Sequence, residues 1–503
     1  MSLKPKEFQD EKIKTKPKSV PGLWNTVAGI GIIVAIIASI GISFLQDVDK
    51  FLIIGGIIGV FLGAIMFFRP ALGAYLIIFT TFSNLSDLFT ENGLPSINQP
   101  LVVALFLVVI ANILFTPERL IPLNRISRVE WSLIAYTFVI IISYTYAANK
   151  DDALHVISNL VKNLIILFTV FITLNTRQKI RNAIWVMTIT IGILSLLGVI
   201  QSVLNLDFTF WGLSQKSIFG QTLASGSLRY GGPIAESNVW GQVLVVSFPY
   251  FIYRVLGARN NSFREFLMII ATFLVLMAIL LTGSRGGFIA LLIIFPIIAL
   301  EIRVKIPTVI VGLMIGALAL VVLPRTFSER FLSLIQLEGD STESIFSDEA
   351  VQGRLEKMRV GLAMFKDKPL TGVGIGNYNQ NYWIYAEDIG IESNATNIQS
   401  IAEEKDPHSL YIEILSETGL IGFGTFAIFL LSLLKGSYEI LKTSRERKTD
   451  IRWKNWVAPI FVSLIAYIVT GFFLHGVSFR WFWVVAAIAM SAIHLTEYQY
   501  QNT

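Results

Sequence analysis

Asp406-Pro407-His408-Ser409 runs without a break into LYIEILSETGLIGFGTFAIFLLSLL, residues 410–434, and this handover from polar loop to apolar helix decides how the chain is read. It closes the chain's one long polar excursion, a stretch from Arg325 to Gly422 whose polar part covers residues 325–408. Nearly everything on either side is apolar runs joined by short connections. Loops of such length that lack a linker composition are usually functional. The loop, with the helix ends around it, is therefore the expected working part.

The 503 residues are 54% hydrophobic and 15% charged, which is too apolar for a soluble protein and characteristic of a polytopic helical membrane protein. The net charge of +5 is spread in short basic clusters between apolar runs. That is the pattern of cytoplasmic loops rather than of a phosphate-tracking face, so a nucleic-acid partner is not expected. With no cysteine, the chain has neither disulfides nor thiolate metal sites. Residues 1–20 hold six lysines and no apolar run, and predict a basic cytoplasmic tail. The segment Leu23 to Leu45 is too long for the core of a cleaved signal peptide and predicts a retained first helix.

Apolar runs able to cross roughly 30 Å of hydrocarbon fall near 23–45, 51–68, 70–84, 99–115, 131–147, 154–174, 182–203, 237–256, 265–282, 287–301, 307–323, 409–434, 455–474 and 481–496. The expected fold is thus all-α and polytopic, with about fourteen transmembrane helices (12 to 14). Eleven lie in a bundle over 21–323, a large extracytoplasmic loop follows at 324–408, and three more helices and the C-terminus occupy 409–503. With the N-terminus inside, the groups Arg69, Arg119/Arg125/Arg128, Arg177/Lys179/Arg181, Arg254/Arg259/Arg264, Arg303/Lys305 and Lys442/Arg445/Arg447/Lys448/Arg452/Lys454 all fall on the cytoplasmic side. The short outer connections at Asp47-Val48-Asp49 and Asp151-Asp152 are acidic. Both termini are expected inside the cytoplasmic membrane, and the long loop outside.

Several residues depart from this charge bias. Arg229, Arg285 and Arg480 fall on the outer side, and Glu236, His408, Glu413, Glu417 and His475 stand at outer helix ends. Ionisable groups in or beside a bilayer are costly and mark function; bundled together, these helix ends would enclose a polar, arginine-bearing cavity at the outer surface. Lys162, about eight residues into its span, reads as a snorkelling lysine.

Four stretches carry possible chemistry. Thr282-Gly283-Ser284-Arg285-Gly286-Gly287 predicts an outer hairpin tip whose glycines leave backbone N–H groups free to meet an anion, or else a plain turn with an arginine reaching headgroups. Gly353-Arg354-Leu355-Glu356-Lys357-Met358 opens an amphipathic helix with Leu355, Met358, Leu362 and Phe365 on one stripe. Pro369-Leu370-Thr371-Gly372-Val373-Gly374-Ile375-Gly376-Asn377-Tyr378 lacks the strand and helix context of a dinucleotide fingerprint and predicts a turn whose glycines permit close packing. His408, after Pro407 at the mouth of a span, can serve as a base near neutral pH, although a lone histidine there is also an ordinary capping or packing residue.

Taken together, these stretches resemble the O-antigen ligase family and its wider superfamily of polysaccharide polymerases and O-oligosaccharyltransferases. The likeness covers the Arg229 to Asn238 segment, Gly283 to Gly287, Gly353-Arg354, Pro369 to Tyr378, and His408-Ser409 followed by Gly419-Leu420-Ile421-Gly422. It implies a GT-C-type, metal-independent, inverting glycosyltransferase. Such an enzyme takes a glycan from a polyprenyl (undecaprenyl) diphosphate and places it on an acceptor hydroxyl at the outer face, as in ligation of O-antigen to lipid A-core. The resemblance assigns Arg285 and Arg354 to the diphosphate and His408 to activating the acceptor. Arg229, Glu236, Asn238 and Glu413 are candidate lining residues, and no metal or cofactor is called for. The implied partners are the polyprenyl diphosphate-linked donor, a lipid or glycan acceptor, and membrane lipids. A planar guanidinium pairs bidentately with phosphate oxygens, and a diphosphate leaving group needs its charge neutralised.

Other readings are a repeat-unit polymerase or a protein O-oligosaccharyltransferase. A metal-dependent transferase would use Asp47-Val48-Asp49 as cation ligands. A transporter or bicarbonate-uptake accessory should show repeats and charged or broken helices at mid-membrane, whereas here the ionisable groups gather at the outer rim.

Overall fold

The computed structural model describes residues 63–121, 126–217, 229–257, 262–302, 349–391, 405–446, 451–476 and 479–501. The expected tail at 1–20, the spans at 23–45 and 307–323, most of the span at 51–68, and the Asp47-Val48-Asp49 pair lie outside the described residues. The helices are α1 (Pro70–Phe82), α2 (Leu85–Glu91), α3 (Asn98–Phe115), α4 (Arg128–Ser143), α5 (Lys150–Thr173), α6 (Arg177–Val203), α7 (Ser237–Gly257), α8 (Ser262–Thr282), α9 (Arg285–Ile302), α10 (Glu349–Asp367), α11 (Tyr378–Asp388), α12 (Leu410–Glu446), α13 (Ile451–Thr470) and α14 (Arg480–Gln501). A short antiparallel ribbon, β1 (Gln215–Lys216) with β2 (Tyr230–Gly232), precedes α7.

Every expected span lying wholly within the described residues coincides with a helix. Among those residues, eight helices are long and apolar enough to cross a membrane, or nine if α1 and α2, bent by 58°, form one span. The protein is an all-helical, multi-pass membrane protein. Its solvation is inverted relative to a soluble fold. Leu107, Phe115, Phe138, Phe273 and Leu300 are more than half exposed, as lipid-facing side chains should be, while Asn112, Thr169, Thr173, Ser195 and Ser463 are buried. Buried hydroxyls need partners in hydrocarbon. Thr173 donates to Thr169 O within α5, and Ser463 reaches across from α13 to Val246 O of α7 at 2.7 Å. The helices α7 and α14 are buried along nearly their whole length, with α7 packed on α8 and α13, α14 on α5, and α12 between α4 and α13.

The charge pattern sorts the two ends of this bundle. Arg177 lies over Trp453, Arg181 and Arg254 over Trp456, and Arg264 over Trp185, while Glu301 accepts from Tyr253, Arg445 and Lys454. These are basic residues expected on a single side, and they do gather at one end. Asn238 and Arg254 stand sixteen residues apart on α7, about 24 Å of helix, so the groups around Asn238 occupy the opposite end.

The polar excursion folds onto that second end through a glycine strap. Gly419 (φ 62°, ψ −162°) breaks α12, freeing carbonyls before the break and N–H groups after it. Residues 369–376 satisfy both sets. Ser416 O and Glu417 O accept from the Val373 and Gly374 N–H groups, and the Leu420 and Ile421 N–H groups donate to Pro369 O and Leu370 O. The Glu417 carboxylate completes the seam by accepting from the Gly376 and Tyr378 N–H groups at 2.9 and 3.1 Å. Gly372, Gly374 and Gly376 all have positive φ, and a Cβ on Gly372 or Gly374 would lie 2.3 or 2.5 Å from backbone atoms of Glu417 or Ala147. The glycines of this stretch serve close packing, as their spacing predicts.

One expectation is corrected. The stripe Leu355, Met358, Leu362 and Phe365 does not form the packed face of α10: Leu355 and Leu362 are about 40% exposed, and Val360, Gly361 and Met364 are buried instead. Gly361 explains the rotation, since a Cβ there would meet Ile412 at 2.4 Å. A glycine at the closest approach scores as weakly apolar, so hydrophobic periodicity does not see it. Gly419→Ala should lower the thermal midpoint in detergent, destabilising the fold by roughly 1–3 kcal/mol for a backbone conformation open almost solely to glycine, with more for the clash against Leu370. Gly424→Ala in the same helix, where an added Cβ meets nothing within 4 Å, should leave the midpoint unchanged or raise it.

Candidate active site

The site is assembled from the starts of α7, α9 and α12, the side of α10, and the turn between α13 and α14. At α7, the Glu236 carboxylate accepts from the Asn238 and Val239 N–H groups and from the Asn238 amide, capping the helix with negative charge where the dipole favours it. The Asn238 Oδ1 then accepts from Arg229 Nη2 at 2.9 Å, and Arg229 Nε donates to Thr282 O at 2.7 Å. Arg229 is 3% exposed. It is a buried brace between β2, the end of α8 and the start of α7, beneath the site rather than lining it.

The Gly-Ser-Arg-Gly-Gly turn begins α9. Ser284 Oγ accepts from the Gly287 N–H at 3.3 Å, and a Cβ on Gly286 would fall 2.5 Å from Phe473, so glycine lets this helix start press against the 471–476 turn. Arg285, half-buried, is the first residue of the helix. Asn238, Gln242, Ser284, Gly286, Gly287, Arg354 and Thr470 line one tight cleft. Gln242 Nε2 donates to Thr470 Oγ1 at 2.8 Å, while its buried Oε1 has no hydrogen-bond partner among the described residues. A buried orphan acceptor in a cleft offers a contact to a donor group on a ligand.

His408 stands beside this cleft with φ +48°, a left-handed conformation that is strained for a side-chain-bearing residue and concentrates at functional positions. Its Nε2 lies 3.3 Å from Lys357 Nζ, one turn along α10 from Arg354. An ammonium only donates, so Nε2 accepts. Its ring packs edge-on against His475, centroids 5.4 Å apart, and His475 Nε2 meets Asp406 Oδ2 at 3.2 Å. The histidine thus touches ionisable neighbours instead of capping the first turn of α12. Glu413 Oε2 accepts from the Gly476 N–H at 2.6 Å, and Leu410 N–H is shared between Gly471 O and Leu474 O. Glu236, Glu413 and Glu417 are therefore all engaged in holding backbone.

The electrostatics follow from this arrangement. Burial, then the charges of Lys357, His475 and Arg354, push the His408 imidazole down to about 3, with Asp406 opposing. Burial of His475 would lower it, but the hydrogen bond and charge of Asp406, with Glu413 and Glu236, hold it above the ordinary histidine value. Burial of Asp406 is likewise outweighed by His475, with His408 and Lys357 contributing, and its carboxyl stays below the ordinary range. The site thus sets a neutral His408 beside an Asp406–His475 contact in which each partner favours the charged form of the other.

The family model described as O-antigen ligase matches residues 270–427. The chain carries an O-antigen ligase domain. A domain of this kind implies an enzyme of the glycosyltransferase type, working on lipid-linked glycans. A comparison with curated proteins finds no match. The O-antigen ligase domain contains Arg285, Arg354, Lys357, Asp406, His408, Glu413 and Glu417, and the cleft is completed from outside it by Asn238, Gln242, Thr470 and Phe473. Of the residues expected at the site, Arg354 and Asn238 line the cleft and His408 stands beside it, Arg285 is not among the lining residues, and Lys357, Gln242, Thr470 and the Asp406–His475 pairing were not singled out from the sequence. Lys357 lies one helical turn after Arg354 and Asp406 two residues before His408, so both were inside quoted motifs. Removing the ammonium next to the ring should raise His408: in Lys357→Gln, its imidazole should titrate at higher pH by histidine-selective NMR, and an unchanged midpoint would refute the contact.

Proposed function

We propose that the protein is a metal-independent, inverting glycosyltransferase that moves a glycan from a polyprenyl diphosphate to an acceptor hydroxyl at the extracytoplasmic face of the cytoplasmic membrane. The carrying observation is the neutral His408 beside two cations, Lys357 and Arg354, at the edge of a cleft formed by the α9 N-terminus. Arg354 and Arg285 face the donor's diphosphate in this reading, joined by the backbone dipole of α9. The acceptor hydroxyl loses its proton to His408 as its oxygen bonds to the anomeric carbon. The bond from that carbon to the diphosphate oxygen breaks, and the diphosphate leaves with the electron pair. Attack opposite the leaving group inverts the anomeric centre. The leaving group needs no proton, so one base suffices.

An imidazole held near 3 is a weak base, and efficient proton transfer wants a value near the working pH. Two of the cations that depress it, Lys357 and Arg354, are the groups a diphosphate would neutralise. Donor binding would therefore raise His408 and draw Lys357 Nζ away from its lone pair, so the base strengthens only when the donor is present. This revises the expectation that His408 is a base already poised near neutral pH. Protonation removes the base form, so each acid limb marks the imidazole of the species it reports. The limb of kcat/KM, which reports free enzyme, should lie well below that of kcat, which reports the donor complex. Coincident limbs would count against the coupling. With purified protein, lipid-linked donor and candidate acceptors, His408→Ala should lower turnover by about 10²–10⁴-fold with donor affinity near wild type, whereas Arg354→Ala should weaken both. Activity should persist with a chelator present, because guanidinium and ammonium groups carry the charge a cation would otherwise carry. A product ladder would identify a polymerase, and a single shifted acceptor a ligase.

The orientation, both termini inside, rests on the charge distribution between the two bundle ends. In this cysteine-free chain, single cysteines replacing the exposed Lys368 or Asp388 should react with an impermeant maleimide in intact cells, and one replacing the exposed Lys442 should not. The reverse pattern would invert the placement of the site.

A further inference from the structure

A second cavity opens beside the bundle between α3 and α5, near the start of α14, with a volume of about 520 Å³. Its walls change character with depth. On α3, Asn98 gives way to Val102 and then Phe106, and on α5, Asn159 and Lys162 give way to Ile166. The polar rim includes Asp87 and Arg480, which pair at 3.2 Å. That pairing leaves Lys162 as the uncompensated charge of the lining, and its ammonium meets a neutral amide oxygen, Asn159 Oδ1, at 3.4 Å. Asn98 supplies an independent sign of a ligand. Its side chain is 7% exposed and lines the cavity, yet both its Nδ2 and its Oδ1 are buried without a hydrogen-bond partner among the described residues. A buried amide missing all its partners is costly, and native proteins rarely leave it so.

We propose that this crevice is a binding site for an anionic phospholipid of the surrounding bilayer whose headgroup carries hydroxyls, such as phosphatidylglycerol. The headgroup phosphate would accept from Lys162 and Asn98 Nδ2, and a headgroup hydroxyl would donate to Asn98 Oδ1. One chain would run down Val102, Phe106 and Ile166. The volume suits a headgroup with the first part of a chain, and the charge left by Lys162 excludes a cationic ligand. A choline headgroup has the phosphate but no hydroxyl to give Asn98, and its ammonium would face Lys162. Lys162 then acts in recognition rather than merely snorkelling to the interface. The site is separate from the cleft of Arg354 and His408, so it stands or falls independently of the proposed reaction.

The test is native mass spectrometry of delipidated protein re-supplied with phosphatidylglycerol or phosphatidylcholine of matched chain length. The wild type should retain phosphatidylglycerol about five-fold more than phosphatidylcholine, the scale of one lysine acting on an anionic lipid. Lys162→Gln, folded to the wild-type thermal midpoint, should lose that preference. Glycerophosphoglycerol, the same headgroup without chains, should not compete. Equal retention of the two lipids, an undiminished preference in Lys162→Gln, or full competition by the chain-free headgroup would each overturn the proposal.

Discussion

The two oxygens of Glu417, each bonded to an N–H of the strap at Gly376 and Tyr378, hold together the part of the molecule on which everything functional rests. A broken helix in a membrane protein leaves backbone groups that water does not reach, and they must be met by protein. The break at Gly419 is met by residues 369–376. The strap in turn is pinned to the connection between α4 and α5, where Ile375 N–H donates to Ser143 Oγ and Asn377 exchanges hydrogen bonds with the backbone of Asn149. The described stretch 349–391 is thereby fastened onto α12. Its helix α10 is set at a fixed rotation, with Tyr378 and Tyr382 hydroxyls bonded to Lys357 O and Glu356, and that rotation determines where Arg354 and Lys357 point.

Charge does the complementary sorting. One end of the bundle stores its arginines on tryptophan faces and around Glu301. The other end sets the Lys357 ammonium against a neutral imidazole, while the Asp406 carboxylate is engaged with His475. An anion that reached these cations in a low-dielectric setting would be attracted more strongly than in water. The strained backbone of His408 belongs to the same economy: a conformation that the fold imposes because α12 is docked through Leu410 on the 471–476 turn.

Much of the fold was legible in the sequence because its physical causes are local and additive. Apolar runs of crossing length placed the helices, from 70–84 through 481–496, and the alternation of basic and acidic connections separated the two ends. The glycines of 369–378 announced close packing, since no other residue adopts positive φ at so little cost. The motifs around Arg285, Arg354 and His408 lay in the right order to be recognised as one family's pattern. These features depend on composition, period and neighbours a few residues away.

What only the tertiary structure decided are the pairings between distant segments. Nothing local in Gly361 says that it is the contact point of α10, so the packed face was misplaced onto Leu355 and Leu362. Arg229 and Glu236 looked like site residues because they are ionisable groups at a helix end; folding makes one a brace and the other a cap. Lys357 meets His408 across 51 residues and His475 meets Asp406 across 69, and neither pairing has a periodicity to betray it. The behaviour of the imidazole depends on those pairings and on burial, both properties of the assembled site. Sequence determined that this chain would span a membrane and carry Arg354 and His408 in motifs that resemble the O-antigen ligase pattern, while the chain's return onto itself determined which residues would meet, and in what state of charge.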